Sequence, residues 1–278
     1  ALVTTTAERW REQLQDRAIP QPILDAAPES PWGFPAELFR VRAQRAGSGP
    51  PTPTTLRALE ALGEGGTVLD VGCGSGATSL PLAAATTRLT GVDGSPPMLA
   101  AFREAAAARG IEADGIEGAW PDAAGRVPMC DVVVSGHVLY NVPDLQPFLR
   151  ALTAHAGRRV VVELTEHHPL AWMQDLWERF HGVRFPDGPT ADDAAAVARE
   201  TGAAVQREDR NVGEDRGTGG FSRREDALAL VRRRLCLPAD RDVELADALG
   251  DRLREDAEGL WSAGPAADVV VTLWWDVP

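Results

Sequence analysis

Thr67-Val-Leu-Asp-Val-Gly-Cys-Gly-Ser-Gly-Ala77 is the stretch on which the fold of this chain turns. Thr67 to Val71 is a short apolar, β-branched run, the pattern of a buried parallel strand. Gly72, Gly74 and Gly76 alternate after it, and helix formers follow from Ala77 to Ala85. The expectation is a strand, a glycine turn and a helix. Such a turn lets backbone pass close under a ligand, and the start of a helix offers unpaired N–H groups.

The glycine run alone also fits a dinucleotide fingerprint, which keeps a nicotinamide-dependent oxidoreductase in view. Asp70 adds information, because a carboxylate at the end of a buried strand is costly unless something satisfies it. A ligand ammonium or the N–H groups of the turn would do so. A second acid, Asp93, ends the next β-like run, Arg88-Leu-Thr-Gly-Val-Asp93. It follows at about the interval at which an acidic side chain accepts ribose hydroxyls.

With these residues on the page, the chain resembles the class I S-adenosylmethionine-dependent methyltransferases. The matching segments are VLDVGCGSG (Val68 to Gly76), GVD (Gly91 to Asp93) and DVVVSGHVLYNVPD (Asp131 to Asp144), and the likeness spans roughly Leu56 to Leu164. The resemblance implies an α/β, Rossmann-like, mostly parallel sheet of seven strands in the order 3-2-1-4-5-7-6, with the last strand antiparallel. It implies S-adenosyl-L-methionine as cofactor and S-adenosyl-L-homocysteine as product. Carried onto this sequence, Asp70, Gly72, Cys73, Gly74 and Gly76 serve the methionine end, and Asp93 with Gly94 the ribose. Gly118, Ala119 and Trp120 serve the adenine, with Ser135 and Gly136 beside them. Many relatives carry Asp where Ala119 stands, and here the adenine must rely on backbone and apolar walls. That departure lends some support to a non-catalytic, cofactor-binding regulator as an alternative.

Composition narrows the partners. The 278 residues suit one α/β domain with additions, and the net charge of −13 works against a polyanionic partner such as nucleic acid. All 28 cations are arginine. Three scattered cysteines, Cys73, Cys130 and Cys236, suggest neither a disulfide framework nor a metal site. With no membrane-length apolar run and no leader pattern, a cytoplasmic enzyme acting on a small molecule is the expectation.

Four segments are expected: an N-terminal helical extension or lid over 1–50, a core over 51–210, a helical insertion or cap over 211–266 and a final core strand over 267–278. The extension carries a capped helix from Thr6 to Leu14, a link bearing Trp32 and Phe34, and a short helix near 36–46. Trp32 and Phe34 either line the substrate mouth or seal a core edge.

Ligands of an open α/β sheet sit beyond the carboxyl ends of its strands. That rule puts Ser135, Gly136 and His137 at the cleft, followed by Tyr140 and Asn141. The next strand, Arg158 to Leu164, ends in Thr165-Glu-His-His-Pro169. His137 is the first candidate base for a hydroxyl acceptor, because imidazole titrates close to neutral pH. Glu166 and His167 are the second, and His168 and Trp172 join Trp32, Phe34, His137, Tyr140 and Asn141 as candidate substrate contacts. Trp172, Leu176 and Phe180 form a four-residue stripe that core packing explains equally well.

Overall fold

The computed structural model describes residues 4–33, 49–212, 220–265 and 268–278. Phe34, the helix expected near 36–46 and all but the last residue of a Gly-rich link expected over Gly213–Gly220 lie outside them.

Seven strands form one sheet: β1 (Gly66–Val71), β2 (Thr86–Asp93), β3 (Ala113–Glu117), β4 (Cys130–Gly136), β5 (Ala156–Thr165), β6 (Gln206–Val212) and, latest in the chain, β9 (Asp268–Asp276). Their order is β3-β2-β1-β4-β5-β9-β6, with β9 antiparallel to both β5 and β6 and the other pairings parallel. This is the expected order, with β9 as the seventh strand.

The central strands are buried on both faces, so their β-branched runs need no polar alternation. Val68, Val132, Val134 and Val161 enter one apolar cluster with Ala58, Leu62, Leu89, Leu99 and Phe102. Their neighbours Leu69, Val133, Val160 and Val162 enter another on the opposite face, with Trp10, Leu139, Phe148, Leu152, Ala194 and Trp275. The first layer is built by α3 (Pro53–Leu62) and α4 (Pro96–Ala107), the second by α1 (Thr6–Asp16), α5 (Leu145–His155) and α7 (Ala191–Glu200); a short α2 (Gln21–Ala26) follows α1. Thr5 and Thr190 start α1 and α7 with reciprocal capping boxes to Glu8 and Asp193. Trp10 is fully buried, stacks on Tyr140 at 5.6 Å, and donates its indole N–H to the Val142 carbonyl at 2.8 Å.

A third apolar cluster stands apart from the sheet. It joins Ile19 to Met173, Leu176 and Trp177 of the α6 region (α6, Gln174–His181), to Leu228 and Val231 of α8 (Arg224–Arg234), and to Leu245 and Leu249 of α9 (Asp242–Leu249). A two-stranded ribbon, β7 (Leu253–Glu255) with β8 (Trp261–Ala263), completes it.

Three expectations are corrected. The run after the glycine turn is no α-helix but a set of turns ending in a 3-10 helix, Leu80–Ala85, because Pro81 cannot donate the bond an α-helix requires there. The helix that the sequence extends over about Val243–Glu255 stops at Leu249 and gives way to the ribbon. The buried stripe around α6 is Met173, Leu176 and Trp177, with Trp172 and Phe180 only partly covered; a 3-10 turn over Ala171–Met173 shifts Trp172 out of phase with Leu176.

Candidate active site

The glycine turn folds over the end of β2. Gly72 and Cys73 both donate to the Val92 carbonyl, at 2.8 and 3.0 Å. Gly72, Gly74 and Gly76 have φ of 71°, 50° and 91°. Two close approaches fix the floor. A Cβ on Gly72 would lie 2.4 Å from Val138, and one on Gly136 2.1 Å from the Thr78 hydroxyl. Nothing lies within 4 Å of a Cβ built on Gly74 or Gly94, so the ligand side of the turn is open.

The two acids belong to this turn. Asp93 accepts from the Gly74 N–H through Oδ2 and from the Ser95 N–H through Oδ1, both at 2.9 Å. Each oxygen keeps further lone-pair capacity. Asp70 is 1% exposed and accepts from the Ser79 hydroxyl at 2.5 Å, while its Oδ1 has no hydrogen-bond partner among the described residues. Burial pushes the Asp70 carboxyl up to about 7, against the lowering effect of Ser79, and the nearby Asp93 charge raises it further. The pair offers a ribose-sized acceptor at Asp93 and a buried, incompletely satisfied anion at Asp70. These acceptors suit S-adenosylmethionine, whose ammonium and ribose hydroxyls would donate to them.

Among the residues expected to serve the adenine, Gly118 donates to the Asp93 carbonyl at 3.1 Å and Ala119 is exposed. Trp120 is partly buried, gives its indole N–H to the Phe148 carbonyl at 3.2 Å, and meets His155 edge-on at 5.0 Å. Ser135 is fully buried and donates to the Val71 carbonyl at 2.9 Å, tying β4 to β1.

The candidate catalytic residues separate into two groups. His137 follows β4 in the left-handed region, φ 59°, with its side chain 38% exposed. Its Nε2 meets Glu163 Oε1 at 2.8 Å, and its backbone N–H donates to the Glu163 carbonyl at 2.7 Å. Glu166 and His167 lie 3.9 Å apart and more open to solvent, a loose pair at the end of β5. His168 is held inward: Nδ1 accepts from the Leu170 N–H at 3.2 Å, and burial, with Arg17 nearby, pushes its imidazole down to about 3. Tyr140 is 5% exposed, with its hydroxyl on the Thr165 carbonyl at 2.7 Å and the Glu166 carbonyl at 3.1 Å. Its ring and hydroxyl are thus both engaged within the fold, and burial holds the phenol well above its ordinary range.

Asn141 is exposed, Trp32 is 58% exposed, and Trp172 packs on the third apolar cluster under the Arg252 guanidinium at 5.9 Å. No group of three or more metal-ligating side chains occurs among the described residues. No helix among them is long and apolar enough to cross a membrane.

Glu163, Thr54, Thr272 and Ser79 went unnoticed in the sequence. The available signal for Glu163 was a lone acid closing the apolar run Val160-Val161-Val162.

Sheet order, glycine turn and paired acids define a Rossmann-like methyltransferase fold. A family model described as "Methyltransferase domain" matches residues 68–157. Residues 68–157, about a third of the chain, are thus similar to a methyltransferase domain, and they lie on a sheet with the strand order of that fold. Among solved structures it is similar to a putative methyltransferase from Bacillus halodurans C-125, at 11% identity over 80% of this chain and 98% of that one, TM-score 0.52. It is also similar to magnesium protoporphyrin IX methyltransferase from Synechocystis PCC 6803, at 15% identity over 91% of each chain, TM-score 0.49. A third is precorrin 8w decarboxylase from Methanobacterium thermoautotrophicum, at 18% identity over 91% and 98%, TM-score 0.46. At these identities the likeness is one of fold. No curated protein matches the chain.

Proposed function

We propose that the chain methylates a hydroxyl group of a small molecule, with His137 taking the acceptor's proton. The carrying observation is the His137–Glu163 pair at 2.8 Å, held at the end of β4 next to the strand that feeds the glycine turn. An amine acceptor needs only to be positioned, so a histidine paired with a carboxylate at that place favours an acidic O–H.

Asp70 would hold the cofactor's ammonium through its unpartnered oxygen, Asp93 the ribose hydroxyls, and Ala119 and the Trp120 wall the adenine. When bound, S-adenosylmethionine supplies an electrophilic methyl on a sulfonium. The chain's own residues then hold the acceptor oxygen in line and draw off its proton, while the displaced electron pair stays on sulfur. Glu166 and His167, the more open pair, are a second place for an acceptor to meet a titratable group. The extension over 1–50 and the cap over 211–266 are assigned the choice of acceptor, with Trp32, Asn141 and Trp172 as contacts.

The test is methyl transfer from labelled S-adenosylmethionine to a panel of simple phenols, aliphatic alcohols and amines. His137→Ala is expected to lose about 10²–10⁴-fold in turnover of a hydroxyl acceptor while keeping its affinity for S-adenosylhomocysteine. Unchanged turnover would remove His137 from the chemistry.

A further inference from the structure

We propose that Glu163 is the positioning residue of the site, gripping His137 by main chain and side chain and fixing the tautomer in which Nδ1 is the basic nitrogen. This rests on the assignment of His137 as proton acceptor and deepens it.

Glu163 stands opposite Gly136 in the β4–β5 register. Its carbonyl accepts the His137 backbone N–H and its Oε1 faces His137 Nε2. A carboxylate only accepts, so the ring proton lies on Nε2 and the lone pair on Nδ1. The other oxygen, Oε2, accepts from the Thr54 hydroxyl at 2.5 Å. That spends the one hydroxyl hydrogen of Thr54, so the 2.8 Å contact between Thr54 and Thr272 has Thr272 donating. The result is a directed chain: Thr272 to Thr54 to Glu163, met from the other side by His137.

Its members come from four elements. Thr272 on β9 pairs in register with Glu163 on β5, Thr54 lies in the first turn of α3, and His137 follows β4. Thr54 and Thr272 are 3% and 1% exposed, so these hydrogen bonds hold where water does not compete. The positive end of α3 also favours a negative charge at Glu163. An apolar residue would serve β5 equally well as a strand, and a carboxylate there calls for a task. The left-handed backbone of His137 points the same way: a non-glycine residue stays there only when its surroundings over-determine it, and Glu163 supplies two of the restraints.

Side-chain nitrogen NMR on the ligand-free protein tests this, with the His137 signals among the five histidines identified by their loss in His137→Asn. The wild type is expected to show His137 protonated at Nε2. Glu163→Leu should populate both tautomers, and Glu163→Gln, which can offer an N–H to Nε2, should move the proton to Nδ1. Affinity for S-adenosylhomocysteine should change by less than about threefold, because Glu163 lies on β5, separated by β4 from β1 and the glycine turn that follows it. With a phenol as acceptor, Glu163→Gln should lower kcat by about 10–100-fold, the scale typical of an outer-shell partner, with KM nearly unchanged and partial recovery in Glu163→Asp. An Nδ1–H tautomer in the wild type, or the same tautomer in all variants, overturns the inference. So does a loss in Glu163→Gln that falls equally on cofactor affinity and KM. Should Glu163→Leu fail to fold, the near-isosteric Gln variant carries the comparison. Full turnover in His137→Ala would defeat the base assignment alone, since the tautomer measurement needs no acceptor.

Discussion

Ionising Asp70 in the free protein places a charge beneath the glycine turn with Asp93 nearby and, among the described residues, Ser79 as its one side-chain hydrogen-bond donor. Because the folded carboxyl is raised to about 7, Asp70 contributes stability that is complete below the ordinary carboxylate range and lost as pH rises toward about 7. A ligand ammonium favours the charged form, so its uptake below that pH releases a proton. Affinity for S-adenosylhomocysteine should therefore climb with pH by up to about tenfold per unit and level off above about 7. Asp70→Asn should bind more weakly and flatten the slope, as calorimetry across that range would show. An unaltered slope in the variant would mean another group is responsible. Asp93 differs in having both oxygens engaged by backbone N–H groups.

Among the elements, the glycine turn makes the sharpest demand on sequence. Gly72 combines a left-handed φ with a Val138 methyl in its Cβ position, whereas Gly94 has neither constraint. Gly72→Ala should cost about 2–4 kcal/mol through strain and overpacking, and Gly94→Ala should stay within about 0.5 kcal/mol. Denaturant midpoints of the two variants would compare them directly. The same contrast explains what could be read from the chain alone. Runs such as Val68–Val71 and Val132–Val134 have one use in a folded protein, and strand order came with the motif resemblance. Glu163 was hidden because its role depends on partners 109 positions away at Thr54 and on a register neighbour at Thr272. His168 and Tyr140 looked like cleft residues by position, but local packing turned both inward. Around α6 a single 3-10 turn rotated the helical phase, and no periodicity rule registers that.

Across the whole molecule, two apolar layers sandwich the sheet and a third cluster stands apart from it. The N-terminal segment spans both. Trp10 is sunk in the core against Tyr140 and the Val142 carbonyl, while Arg234 and Arg233 of α8 hold the Pro31 carbonyl and Glu29 of the following link. Trp10→Ala should cost about 3–5 kcal/mol in unfolding free energy, and Trp10→Phe about 1 kcal/mol for the lost hydrogen bond. Equal losses in the two would show that the hydrogen bond, not the ring, anchors the segment.

The position of β9 bears on how the protein is made. It is the late-synthesised strand, yet it wedges between two that leave the ribosome before it, and β6 joins the sheet through it. Until residues 268–276 emerge, β5 has an unpaired edge and Glu163 lacks the threonine that stands opposite it. A nascent chain could assemble the glycine turn early, but the chain of hydrogen bonds through Glu163, Thr54 and Thr272 waits for the strand that arrives late.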